Sequence, residues 1–472
     1  MSGFGVAFNS AAHALSSVQQ ALTTVQNNIV NASTPGFATQ RVNFSASGFE
    51  LSQGLTGGLE VNMSSTRDLY LEKSVRTEMS ALGSEAQKNT LLTSLQSVFS
   101  ASGDSGIPGA LATFAGSFAA LSAAPNDLAA RSNVIEAATQ VARVFNQSAA
   151  QIAQVAADTA QQVKSTITSI NELTKHIASL NAEMQRGAQR DAGVTANLNS
   201  SLDSLSELVD ISVINNSDGS ASVLLGGQSP LVLGSTAYSL FSQSTLATAT
   251  APFPGGDAGI ELLDQTGADI TGQATSGALG ALIGIRNKTI PYYSGSQTHP
   301  GELNNLAKSF ASRVNAILAD AQTTAGIDPT SLFVYNSSDD TKAAATLAVS
   351  NITPAGVASA NALSSNGAAT ELASIDNASN PADLIDGLSY GGYYGQIAGR
   401  AGRDAAEAAD DLATQQDLTT QAQNQRAQAS GVSLNDQAAQ LLALQQAYQA
   451  TARIISILNN ISQTAVNLIP QG

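Results

Sequence analysis

Apolar side chains in the first thirty residues fall at Phe4, Phe8, Ala11, Leu15, Val18, Leu22, Val25 and Ile29. The steps alternate between four and three, the heptad spacing of a helix that packs along a seam. Outward positions carry Ser, Gln, Thr and Asn, and no Lys, Arg, Asp or Glu precedes Arg41. A helix with one apolar stripe is marginal alone in water and needs a partner. The same alternation returns at the other end of the chain, at Leu444, Ala447, Thr451, Ile454, Leu458, Ile461, Ala465 and Leu468. Between Gly431 and Gly472 only Asp436 and Arg453 are charged. The two ends are therefore expected to pack on each other as one stalk, with everything between them a long excursion. Two unrelated core helices of a globular protein are the plain alternative.

The pattern between the ends is mostly helical. Asn31-Ala32-Ser33-Thr34-Pro35-Gly36 stops the first helix, since Pro35 pushes Thr34 out of helical geometry. Phe37 to Phe49 reads as extended or irregular, and Leu55 to Val61 as a short hairpin arm. Helical spacing resumes near Asp68 and runs through Leu71, Val75, Met79, Leu82, Leu91, Leu95 and Val98. Gly103 to Gly109 reads as a loop, and 110–122 as a further helix. Pro125-Asn126-Asp127 opens the longest helix, and Arg186-Gly187 closes it. Ile211 to Leu225 reads as strand, turn and strand around Asp218-Gly219. Leu231 to Leu233, Tyr238 to Leu240 and Gly259 to Leu263 add candidate strands. Helix returns after Gly277, and another spans Leu303 to Ala325 with Gly326 and Pro329 as its stop. Residues 327–395 give no clear assignment. A last helix pair covers 396–429 and 434–469, broken at Ser430-Gly431.

The predicted fold is mainly α with a small β insertion: an elongated multi-domain chain with paired coiled-coil-like terminal helices and a long-helix bundle body. Residues 1–66 and 426–472 form the stalk, 67–207 and 276–425 the body, and 208–275 the insertion. The predicted assembly interface is Phe4, Phe8, Leu15, Val18, Leu22, Val25, Ile29, Leu441, Leu444, Tyr448, Ile454, Leu458, Ile461 and Leu468.

Composition narrows the function. The chain has 472 residues and a net charge of -16, with only 12% charged residues. No basic cluster exists to neutralise phosphates or anionic lipid, which argues against nucleic-acid and membrane partners. No stretch reads as a membrane span, and the start lacks the basic and apolar regions of a cleavable signal. The chain has no cysteine, so disulfides and thiolate metal sites are excluded. Gly387-Leu388-Ser389-Tyr390-Gly391 matches a nucleophile elbow, so a hydrolase using Ser389 is one alternative. That motif needs a later histidine, and His13, His176 and His299 all precede it. The histidines show no metal-ligand spacing, the glycines no dinucleotide loop, and no cofactor is expected. The Ser- and Thr-rich insertion leaves an adhesin-like secreted protein as another possibility.

Asn27-Asn28-Ile29-Val30-Asn31-Ala32-Ser33-Thr34-Pro35-Gly36-Phe37 resembles the N-terminal signature of flagellar rod, hook and hook-associated proteins. Leu444-Gln445-Gln446-Ala447-Tyr448-Gln449-Ala450, followed by Ile454-Ile455, is similar to their C-terminal signature. Val30, Ser33 and Phe37 depart from the common residues but keep size and helix-end chemistry. Within that class, Ser276 to Arg286, Leu303 to Ala307 with Val314-Asn315, and Gly431 to Ala439 resemble the hook-associated members. The resemblance implies a non-enzymatic structural subunit at the hook–filament junction, with a hook or rod protein as the alternative. It implies an extracellular place in the flagellum and type III export without a cleaved signal. It also implies self-association into a tubular layer, contacts with the hook protein and hook-associated protein 3, and an export chaperone.

Overall fold

The computed structural model describes residues 2–50, 55–99, 106–188, 191–245, 250–323, 330–377 and 380–467. The chain is 66% helical with only small sheets, a mainly α fold drawn out along its longest helices. Helix α1 (Ser2–Val30) leads into an antiparallel hairpin of β1 (Gln40–Glu50) and β2 (Leu55–Ser65). Helices α2 (Leu69–Phe99), α3 (Gly106–Ala123), α4 (Leu128–Gln185) and α5 (Ala192–Leu208) follow. At 1.5 Å rise per residue α4 alone runs roughly 87 Å. Asp127 caps its first turn by accepting from the Ala129 N–H, as the start signal requires. Gly187, at φ +113°, ends it.

The insertion holds a four-stranded antiparallel sheet of β3 (Ile211–Asn215), β4 (Ala221–Leu225), β5 (Ser229–Leu233) and β6 (Thr236–Ala237) in sequence order. Gly219 (φ +81°) turns its first hairpin. Strands β7 (Phe241–Ser244) and β8 (Ile260–Leu263) pair separately. Then come α6 (Gly277–Gly284), a π-helical turn over Ile285–Thr289, α7 (Ile290–Ser294) and α8 (Glu302–Ala319). Residues 330–377 are mostly loop, with β9 (Phe333–Val334), α9 (Ala343–Thr346), β10 (Ala348–Val349) and α10 (Gly367–Ala373). The chain closes through α11 (Tyr390–Ser430) and α12 (Leu434–Asn467).

Aromatic residues are few, and the body concentrates them. Phe114 lies edge-on to Phe118 and Phe310, at 5.1 and 5.3 Å, and Phe310 meets Tyr390 at 5.3 Å. Around this centre α3, α4, α8, α10 and the start of α11 share one apolar core.

Several expectations need correction. The hairpin is longer than the arm read from Leu55 to Val61, because most of the segment read as extended or irregular is its first strand. Helix α8 stops at Ala319, because Gln322 is drawn into a bridge with Ala360; Gly326 and Pro329 lie outside the described residues. Tyr238 to Leu240 is not a strand, and the following residues form β7 instead. Helix α3 begins inside the segment read as a loop, of which Gly103 to Ser105 fall outside the described residues. By length and composition α3 is apolar enough to cross a membrane. Here Phe114, Phe118 and Leu121 are buried in the body core.

Candidate assembly interface

Helix α1 packs between α12 and the hairpin. Its C-terminal end meets the N-terminal end of α12, where the Asn28 amide donates to Gln437 Oε1 at 2.9 Å. The two terminal helices therefore run antiparallel. Val18, Ala21 and Val25 are buried along the seam, and Leu15, Leu22 and Ile29 are half-buried beside it. From α12 the seam receives Leu441, Leu444, Tyr448, Thr451, Ile455 and Leu458, all half-buried.

Ile454 and Ile461 belong to a different face: they are 52% and 48% exposed. The helix offers two heptad frames, one through Ala447 and Ile454, the other through Tyr448 and Ile455. The frame carrying the bulkier Tyr448 packs on α1, since it removes more apolar area from water. Leu442, Ile454, Ile457 and Ile461 are left as an outward apolar stripe. Phe8 is also exposed, at 42%. The side chain of Phe4 and the whole of Leu468 lie outside the described residues.

The hairpin's grip on α1 was not legible in the heptads. Ser17 and Thr24 are buried on the hairpin side, where Ser17 Oγ donates to the Leu59 carbonyl. Asn28, fully buried, receives the Gln40 N–H at 3.0 Å and donates to the Gln40 carbonyl at 2.9 Å. Alternation of apolar and polar residues in β2, at Leu59, Val61 and Met63, was the available signal.

The base of the stalk is knotted by backbone groups and short hydroxyls. Thr39 N–H donates to the Ser430 carbonyl at 2.9 Å, and its hydroxyl to the Gly431 carbonyl at 2.7 Å. Ser430 Oγ donates to the Thr66 carbonyl. Gly36 adopts φ +73°, and a side chain there would collide with the Ala196 carbonyl of α5. Only glycine lets the signature loop seat on the body.

Charged side chains then tie stalk to body. Glu72, 3% exposed, pairs with Arg67 and, at 3.1 Å, with Arg426. Asp203 pairs with Arg76 at 3.2 Å and with Arg426 at 2.6 Å. Burial pulls the Arg67 guanidinium below its ordinary value, opposed by Glu72. These residues lie up to several hundred positions apart, so no spacing along the chain groups them.

Ser389 is the N-cap of α11, its hydroxyl accepting from the Gly392 N–H at 3.2 Å. His13 and His176 are exposed helix residues, and His299 Nδ1 accepts from the Gly301 N–H. Among the described residues no three His, Cys, Asp or Glu side chains converge as metal ligands.

The two terminal helices in one antiparallel stalk, set on a long-helix body, define a rod-like structural subunit. The model of the flagellar hook-associated protein FlgK helical domain matches residues 92–333, and that of the flagellar basal body rod FlgEFG protein C-terminal region matches 423–468. With just over half its length matched by the first, the chain belongs to the family of the flagellar hook-associated protein FlgK. It is 25% identical over 498 aligned positions to flagellar hook-associated protein 1 of Bacillus subtilis (strain 168), covering 97% of each chain. The solved flagellar hook junction protein FlgK from Burkholderia pseudomallei shares the fold, with a TM-score of 0.64 at 15% identity, over 75% of this chain and 99% of that one.

Proposed function

We propose that this chain is a structural subunit of the bacterial flagellum at the hook–filament junction, polymerising through its terminal helices. The observation that carries this reading is the outward stripe of Leu442, Ile454, Ile457 and Ile461 on a helix whose other apolar face is already packed. An apolar stripe on a nearly uncharged helix is satisfied by a neighbour of the same kind, and repeated head-to-tail contacts of that sort build tubular assemblies. In this reading 1–66 and 426–472 are the assembly core, 67–207 and 276–425 the body, and 208–275 an outer insertion. The seam residues Leu15, Val18, Leu22, Val25, Ile29, Leu441, Leu444, Tyr448 and Leu458 build the stalk, while Ile454 and Ile461 meet sister subunits. Partners are copies of itself, the hook protein and hook-associated protein 3, with an export chaperone before assembly. The subunit leaves the cell by the flagellar type III route, without a cleaved signal, and works outside it as a non-enzyme. Electron microscopy of cells lacking the protein tests the assignment. Hooks without filaments, with filament monomers in the medium, are expected; normal filaments would overturn it.

A further inference from the structure

A cavity of about 440 Å³ opens where the stalk meets the body, lined by Phe37, Arg67, Gln423, Asn424 and Arg426 among others. The ion-pair network beside it is unbalanced: Arg67, Arg76 and Arg426 face Glu72 and Asp203. Three guanidinium groups against two carboxylates leave one positive charge over. The donors are also unequally used. Arg67, nine-tenths buried, gives one Nη to Glu72 and the other to the Gly36 carbonyl, while its Nε has no partner. Arg426 spends Nη1 on both carboxylates. Its Nε and Nη2 make no hydrogen bond among the described residues, so that edge of its planar fork is open. An Arg fork matches a carboxylate with two parallel bonds, and the open edge of Arg426 is the part of this network that a ligand can reach.

We propose that this cavity is a binding site for a carboxylate, held by the open edge of Arg426 at the stalk–body joint, with the charge of Arg67 behind it in the cavity wall. One monoanion balances the surplus charge, whereas a dianionic phosphate would overshoot it and lie against Glu72. The carboxylate comes either from a free small acid or from an Asp or Glu of a second copy, which carries 36 acidic residues. The second source rests on the assembly reading given above; the first does not.

The full-length chain is melted in sodium acetate and in sodium chloride at equal ionic strength and pH 7. Acetate is expected to raise the midpoint by about 2 °C or more over chloride. Arg426→Gln abolishes that difference, while Arg143→Gln, an exposed cation on α4, keeps it. Should Arg426→Gln fold poorly, line broadening of 13C-labelled acetate by the natural chain reads the same site. Equal midpoints in the two salts with no broadening would overturn the proposal. For the source, Ala427→Cys places a thiol at the cavity of a chain that has no other. Labelling by a maleimide in the free subunit, and protection in assembled flagella, assigns the carboxylate to a sister copy. Equal labelling in both overturns that source and leaves the free acid.

Discussion

Asparagine is the residue on which the small β elements depend. In five places among the described residues, an Asn on a helix, or on the π-helical turn, acts as a one-residue strand. Asn28, Asn171, Asn181, Asn287 and Asn315 each accept a backbone N–H and return a bond to the carbonyl of the same residue. The partners are Gln40, Leu240, Ala221, Ile260 and Phe333. An amide presents acceptor and donor on two separate atoms side by side, so it meets the N–H and the carbonyl of one residue; a carboxylate has no donor, and a hydroxyl offers both from one atom. Short sheets thereby dock on long helices with no sheet neighbour. None of this shows in the hydrophobic pattern, where an Asn between heptad positions reads as a solvated face. Asn181 is fully buried and also donates to the Gly234 carbonyl at 2.7 Å. Asn181→Leu orphans three backbone groups, and urea unfolding should show a loss of about 2–4 kcal/mol. The exposed Asn197 serves as control, and Asn197→Leu should stay within about 0.5 kcal/mol.

At the scale of elements, α12 has two apolar faces with different tasks. The heptad rule found the helix and its partner α1, but it could not rank two frames that differ by one residue. The choice was made by side-chain bulk at Tyr448 over Ala447, which carries Ile455 rather than Ile454 into the seam, together with the hairpin covering the far side of α1. Substitutions on the two sides therefore separate folding from assembly. Val25 is 1% exposed in the seam, and a carboxylate there is buried without a partner. Val25→Asp should lower the helical signal of the isolated chain in circular dichroism and expose both ends to protease. Ile457 is 57% exposed. Ile457→Asp should leave the monomer's melting within about 0.5 kcal/mol of the natural chain. Sedimentation and electron microscopy should nonetheless show it failing to polymerise. If the Ile457 variant assembles normally, the outward stripe is not the contact surface.

Over the whole molecule, α2 and α11 form an antiparallel connector between stalk and body. One end is the network of Glu72 with Arg426; further along, Gln415 donates to the Glu78 carbonyl; at the other end the Tyr394 hydroxyl donates to the Phe99 carbonyl at 3.1 Å. The sequence located both helices but not their pairing, because the contacts join residues 295 to 354 positions apart. The body end of this connector is rich in buried phenols. Burial, with Asp383 nearby, pushes Tyr390 up to about 12 from its ordinary 10. Burial also raises Tyr293, Tyr393 and Tyr394. A folded chain that holds phenolic protons the unfolded chain releases loses stability as pH rises. The contribution is intact below about pH 10 and falls away between roughly pH 10 and 12, as the unfolded state ionises first. The melting temperature should therefore drop steeply across that window and be flat in this respect below it. Tyr390→Phe keeps the ring against Phe310 and removes one titrating group. Its melting temperature should fall less steeply with pH than that of the natural chain, while ultraviolet absorbance at alkaline pH shows one phenol fewer ionising late. A melting temperature unchanged up to pH 12 would mean that these tyrosines reach water in the folded body, and that the connector's inner end is looser than its packing implies.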